Sequence, residues 1–216
     1  MPYTDRAGYF SPTGSTTGPL RFASGPATVQ SSAASVLKLY YTGFEAPGTP
    51  PAEISAPQIS RPIPSYTADL LAGGLETAVS SNTFIYTMGA SGKPFVHVTI
   101  RDGKFSSAAQ FMGNDVPRVL NEVVALEEVK AGTFEPRLLG FQGLWTVLWL
   151  KSVSGGPDYL YPVAETAHPE DPVARKIPSL QARTLYSVED FLAAVRPELE
   201  AKRAVPRQYP PRRGGG

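Results

Sequence analysis

Cysteine is absent from this chain, and histidine occurs only twice, at His97 and His168. The first absence excludes disulfide frameworks, thiolate metal sites and cysteine nucleophiles. The second leaves little material for imidazole acid–base or zinc chemistry. Long apolar runs are missing too. The longest, Leu144–Leu150 with Thr146 inside it, falls far short of the roughly 20 residues a helix needs to cross a bilayer, so no membrane span is expected. Met1-Pro2-Tyr3-Thr4-Asp5-Arg6 lacks the charged and apolar regions of a secretory leader, and the default expectation is an intracellular protein or one within an assembled particle.

The familiar nucleotide and nucleophile motifs are also lacking. There is no Gly-x-Ser-x-Gly elbow, and Gly14-Ser15-Thr16-Thr17-Gly18 has no strand before it to make a dinucleotide fingerprint. Gly89-Ala90-Ser91-Gly92-Lys93-Pro94 has glycines too close together for a phosphate loop. Pro94 stands where such a loop needs Ser or Thr, and a strand pattern follows instead of a helix, so it reads as a hairpin turn. Acid is missing from the last sixteen residues, which carry Lys202, Arg203, Arg207, Arg212 and Arg213. With a formal net charge of +1 overall, the body of the chain is weakly acidic. A short basic tail on an acidic body disfavours a nucleic-acid partner, whose recognition needs basic residues clustered on a folded face.

Proline, glycine and hydrophobic residues are plentiful. Ten of the 22 prolines fall within residues 1–66, which hold only seven charged side chains, so that stretch reads as an extended arm. Ser35–Thr42 is its one strand-like piece, and Ser60-Arg61-Pro62-Ile63-Pro64 should be extended, because each proline fixes φ and biases its predecessor away from helix. Tyr3, Tyr9, Phe10, Phe22, Tyr40, Tyr41 and Phe44 punctuate the arm. Solvated linkers are poor in aromatics, so these residues suit docking, on the chain's own core or on a neighbour.

With 42% hydrophobic residues, the remainder can bury a core as one domain over residues 67–200. Thr83–Met88, Phe95–Arg101 and Lys104–Phe111 read as a meander. Val96, Val98 and Ile100 share one face of its middle strand, and Asp102-Gly103 makes a type I′ turn. A helix over about 115–131 has Asn114 or Asp115 as cap, Pro117 in its first turn and Gly132 as a left-handed terminator. Strands follow at Arg137–Gln142, Leu144–Val153 and Tyr159–Ala164. The middle one is apolar on both faces and so belongs inside the sheet. A further strand, Leu180–Tyr186, precedes a helix over 188–203 capped by Ser187, with Val188, Phe191, Leu192, Val195 and Leu199 on one stripe and Pro197 expected to kink it. The fold class is α+β: an antiparallel sheet with two amphipathic helices, between the arm and a basic tail at 201–216.

Two functional readings follow. The first is a non-catalytic structural or interaction subunit of a larger assembly, whose partners are other protein subunits. It would dock through the arm aromatics and through Arg207, Tyr209, Arg212 and Arg213 of the tail. No catalytic, cofactor or metal residue is assigned. The second is a small-molecule-binding or hydrolytic α+β domain, with polar groups from His97, Arg101 and Asp102 or from the loop Glu165-x-x-His168-x-Glu170-Asp171. His97 on the polar face of a strand reads first as a surface residue. The His168 loop, stiffened by Pro169 and Pro172 without helical spacing, reads first as a solvated acidic segment.

Overall fold

The structure, a computed structural model, describes residues 5–10, 18–26, 35–36, 58–89, 96–109, 115–141, 145–165 and 180–204. Among them the fold is mixed α+β, with one large, mostly antiparallel sheet and three helices. The strands are β1 (Gln58–Ile59), β2 (Ile63–Thr67), β3 (Val79–Gly89), β4 (Val96–Arg101), β5 (Lys104–Ala109), β6 (Phe134–Phe141), β7 (Trp145–Ser152), β8 (Tyr159–Glu165) and β9 (Tyr186–Ser187). The helices are α1 (Asp115–Val123), α2 (Glu127–Lys130) and α3 (Val188–Ala204).

The spatial order is β5-β4-β3-β2-β6-β7-β8-β9, with β1 also on β3. Two antiparallel meanders therefore meet at one parallel ladder, where Ser65, Tyr66 and Thr67 of β2 face Leu138, Leu139 and Gly140 of β6. The residue alternation puts β4 where the sequence places it. Val96, Val98 and Ile100 are buried, and the hairpin turns on Asp102 and Gly103 at φ 49° and 74°, as a type I′ loop requires.

Strand β2 crosses the boundary expected at residue 66, so the proline-rich stretch supplies an interior strand as well as an arm. Its prolines are tolerated because of where they fall. Pro64 pairs with Phe84 before the β6 ladder begins at Ser65, so the proline takes no donor from that ladder. Pro136 of β6 lies before that same ladder, and Pro162 of β8 lies beyond the two-residue pairing with β9.

The two faces of the sheet are covered differently. On one, Leu138, Leu148, Leu150, Tyr161 and Val163 pack against Val116, Val119, Leu120 and Val123 of α1, Val129 of α2, and Tyr9 and Leu20 of the N-terminal stretch. On the other, Leu139, Val147, Trp149 and Leu160 pack against Phe191, Val195 and Leu199 of α3. The double-sided cover expected of Leu144–Leu150 is present at Val147–Leu150, and Leu144 lies outside the described residues. Each such side chain contributes about 2 kcal/mol by leaving water.

Several local expectations change. The single helix over 115–131 divides into α1 and α2, because the amides of Ala125 and Leu126 tighten to i−3 bonds and Leu126 turns extended at φ −75°, ψ 140°. On an unbroken helix Val123 and Val129 would lie about 120° apart; the break lets both be fully buried. Gly132 is not left-handed. It is required by proximity instead, since a Cβ there would lie 2.6 Å from the Phe134 ring. The strand expected at Leu180–Tyr186 shrinks to Tyr186–Ser187. Helix α3 runs unbroken through Pro197, where Ala193 and Pro197 are both exposed, so the carbonyl the proline leaves unbonded falls on the solvent side of the helix. Ser187 caps it as expected, accepting the Asp190 amide at 3.1 Å. Of Ser35–Thr42 only Ser35 and Val36 are described, with helical backbone, and Asn114 lies outside the described residues.

Candidate functional site

Tyr9, Phe10 and Phe22, three of the arm aromatics, dock on this chain's own sheet. The Asp5 carboxylate accepts the amides of Tyr9 and Phe10 at 2.9 and 2.8 Å, closing a turn through Gly8 at φ +66°. That turn drives Tyr9 into the core, where its ring meets Phe10 and Phe22 and its hydroxyl lies 3.2 Å from Thr87 Oγ1. Burial pushes the Tyr9 phenol up to about 12. Further along, Leu20 forms a parallel bridge to Phe134, with Arg21 N donating to the Phe134 carbonyl at 2.7 Å and Phe134 N to that of Pro19 at 2.8 Å. Tyr3, Tyr40, Tyr41, Phe44, Arg207, Tyr209, Arg212 and Arg213 lie outside the described residues, as does the loop around His168.

The second group, His97, Arg101 and Asp102, is not brought together. His97 is half-buried and paired in register with Thr87; Arg101 is exposed four residues further along β4, about 13 Å away at strand rise, and Asp102 sits at the hairpin tip. Among the described residues no three His, Asp or Glu side chains gather as a metal set.

Two clusters were missed because they are assembled by topology, not by sequence spacing. On the α1 face, the buried Tyr161 hydroxyl donates to Glu122 Oε2 at 3.1 Å, and Arg183 Nη1 donates to Glu122 Oε1 at 3.2 Å. Burial first, and then the Glu122 charge, push Tyr161 up to about 12. Arg183 holds a left-handed backbone, φ 60°, while its amide donates to the Pro162 carbonyl, so the ion pair pins the connector before β9 to α1.

The other cluster lies on the α3 face. Register places Glu135 and Arg137 of β6 opposite Lys151 and Trp149 of β7, and Tyr66 of β2 beside Leu139. The rings of Tyr66 and Trp149 stand at 80° with centroids 5.6 Å apart, and the Arg137 guanidinium carbon lies 4.6 Å from the first and 4.8 Å from the second. Arg137 Nε donates to Glu135 Oε1 at 2.7 Å. Asp158 closes the far side, accepting from Trp149 Nε1 at 3.0 Å, Lys151 Nζ at 3.2 Å and the Ser152 amide at 2.9 Å. An arginine two residues after a glutamate on a polar strand face was a readable ion pair; the aromatic corner was not.

Among the described residues no helix is long and apolar enough to cross a membrane. Comparison with protein-family models, with curated proteins and with solved structures gives no match for this chain.

Proposed function

We propose that the chain is a non-catalytic structural or interaction subunit of a larger protein assembly, docking on its neighbours through its N-terminal arm and basic tail. The observation that carries this reading is the way the described arm segments bind. They use an aromatic anchor, a carboxylate-capped turn and a single strand-like bridge to seat extended chain on a sheet. The same mode, repeated on another subunit, would use Tyr40, Tyr41 and Phe44, with Arg207, Arg212 and Arg213 adding salt-sensitive attraction. The ionic clusters fit a packing role, with Glu122, Glu135 and Asp158 each held by a cation at 3.2 Å or closer.

Deleting the whole arm would remove Tyr9 and Leu20 from the core, so the test uses a Tyr40/Tyr41/Phe44→Ser variant and a chain ending at residue 204. In native extract the intact chain is expected to sediment within an assembly and to cross-link reproducibly to one neighbour, and each variant to shift it toward the 23.1 kDa monomer. An intact chain that sediments as a monomer sinks the reading.

A further inference from the structure

We propose that the Tyr66–Arg137–Trp149 corner is a binding site for a single carboxylate, and that it receives an acidic side chain or a chain terminus of a protein partner. The proposal rests on the interaction-subunit reading for the source of that carboxylate, and on the corner alone for its chemistry.

Arginine carries five N–H donors. At Arg137 one of them, on Nε, is taken by Glu135, and the two terminal nitrogens donate to no group among the described residues. The side chain is nonetheless held, with only 20% of its surface exposed, between two ring walls and a carboxylate. A solvated arginine must give up rotamer freedom to present its fork; this one has already done so in folding. The Tyr66 hydroxyl likewise makes no hydrogen bond among the described residues, and Tyr66 is half-buried.

The end-on pair of nitrogens matches the two oxygens of a carboxylate. Charge selects the monoanion. Arg137 and Lys151 are balanced by Glu135 and Asp158, so the corner is neutral before anything binds. Either ligand gains the fork and feels the Glu135 and Asp158 charges, but a phosphate dianion feels them with twice the charge of a carboxylate.

The test titrates acetate into the full chain at constant ionic strength and follows the Arg137 Nε–H and Trp149 indole N–H signals by NMR. Acetate is expected to shift both saturably, and inorganic phosphate to bind more weakly. R137K keeps the charge but loses the fork and should bind acetate about tenfold more weakly. E135Q should bind it several-fold more tightly, because a competing charge is removed; a purely structural arginine predicts no such gain. It also decides the matter if R137K fails to fold. Signals that move no more with acetate than with chloride, or an E135Q variant that binds no better, overturn the site. Two peptides separate the sources, one with an internal glutamate and an amidated end, the other with a free terminal carboxylate and no acidic side chain. Binding of either supports a protein partner. Acetate bound with both peptides rejected overturns the protein source, while the arm-and-tail reading is decided independently by the sedimentation of its variants.

Discussion

Between β6 and β8 the sheet is apolar on both faces, whereas between β3 and β5 it is apolar mainly on one, with Ile85 the exception on the other. In the first half Leu148, Leu150 and Val163 point to α1 and the N-terminal stretch, while Val147, Trp149 and Leu160 point to α3. In the second, Phe84, Tyr86, Met88, Val96, Val98 and Ile100 share a face, and Thr87, His97, Thr99 and Arg101 lie on the other. The two-sided half holds the packing energy. The one-sided half ends at β5, an outer strand with Lys104 at its start and an extra residue, Ser106, between the partners of Thr99 and Ile100. A lysine and a bulge are the usual guards of a sheet edge, which directs any docking away from strand addition there.

The largest test of this contrast is Leu148→Ala against Thr99→Ala. Urea unfolding is expected to show a loss of about 3 kcal/mol for the first and under about 0.5 kcal/mol for the second; equal losses would break the comparison. Next comes alkaline pH. Tyr9, Tyr86 and Tyr161 are all pushed up to about 12, chiefly by burial. Because their folded values exceed the unfolded value near 10, the stability they provide is complete below pH 10 and is lost as pH rises toward 12. Tyr9 alone accounts for about 3 kcal/mol, the equivalent of two pKa units. Urea midpoints between pH 9 and 12 should fall steeply in the intact chain and less so in Tyr9→Phe. Gly132→Ala should cost about 1–3 kcal/mol by forcing a methyl against the Phe134 ring, read as a lowered melting temperature. Ser187→Ala should cost about 1 kcal/mol through the lost α3 cap. Smallest of all, Phe105→Ser on the outer strand, where the ring is 48% exposed, should change stability by less than about 0.5 kcal/mol.

The same contrast explains what the sequence makes legible. Alternation in Val96–Arg101 reads directly because Val96, Val98 and Ile100 are buried while His97, Thr99 and Arg101 are half-buried or exposed, and Asp102-Gly103 names its own turn. The continuous run Trp145–Leu150 reads as doubly covered, and Ser187 with Asp190 announces α3. Strand β2 was hidden because Pro62 and Pro64 signal a break unless one knows that the β6 ladder begins only at Ser65. The split between α1 and α2 was hidden because Leu126 is a good helix former, and only the burial of Val129 forces the turn. The aromatic corner needs residue 66 beside the 137–149 pair, and the parallel ladder brings it there. No local pattern contains it.

That ladder also sets the order of events in folding. Within each meander the close pairs β4–β5, β6–β7 and β7–β8 are hairpins, which form within microseconds. Ser65 must find Leu138 across everything between them, and a contact so distant along the chain adds loop-closure entropy before any packing repays it. Refolding should therefore wait at the β2–β6 seam. The Arg137 corner, which spans it, comes into being only when the two halves have already met.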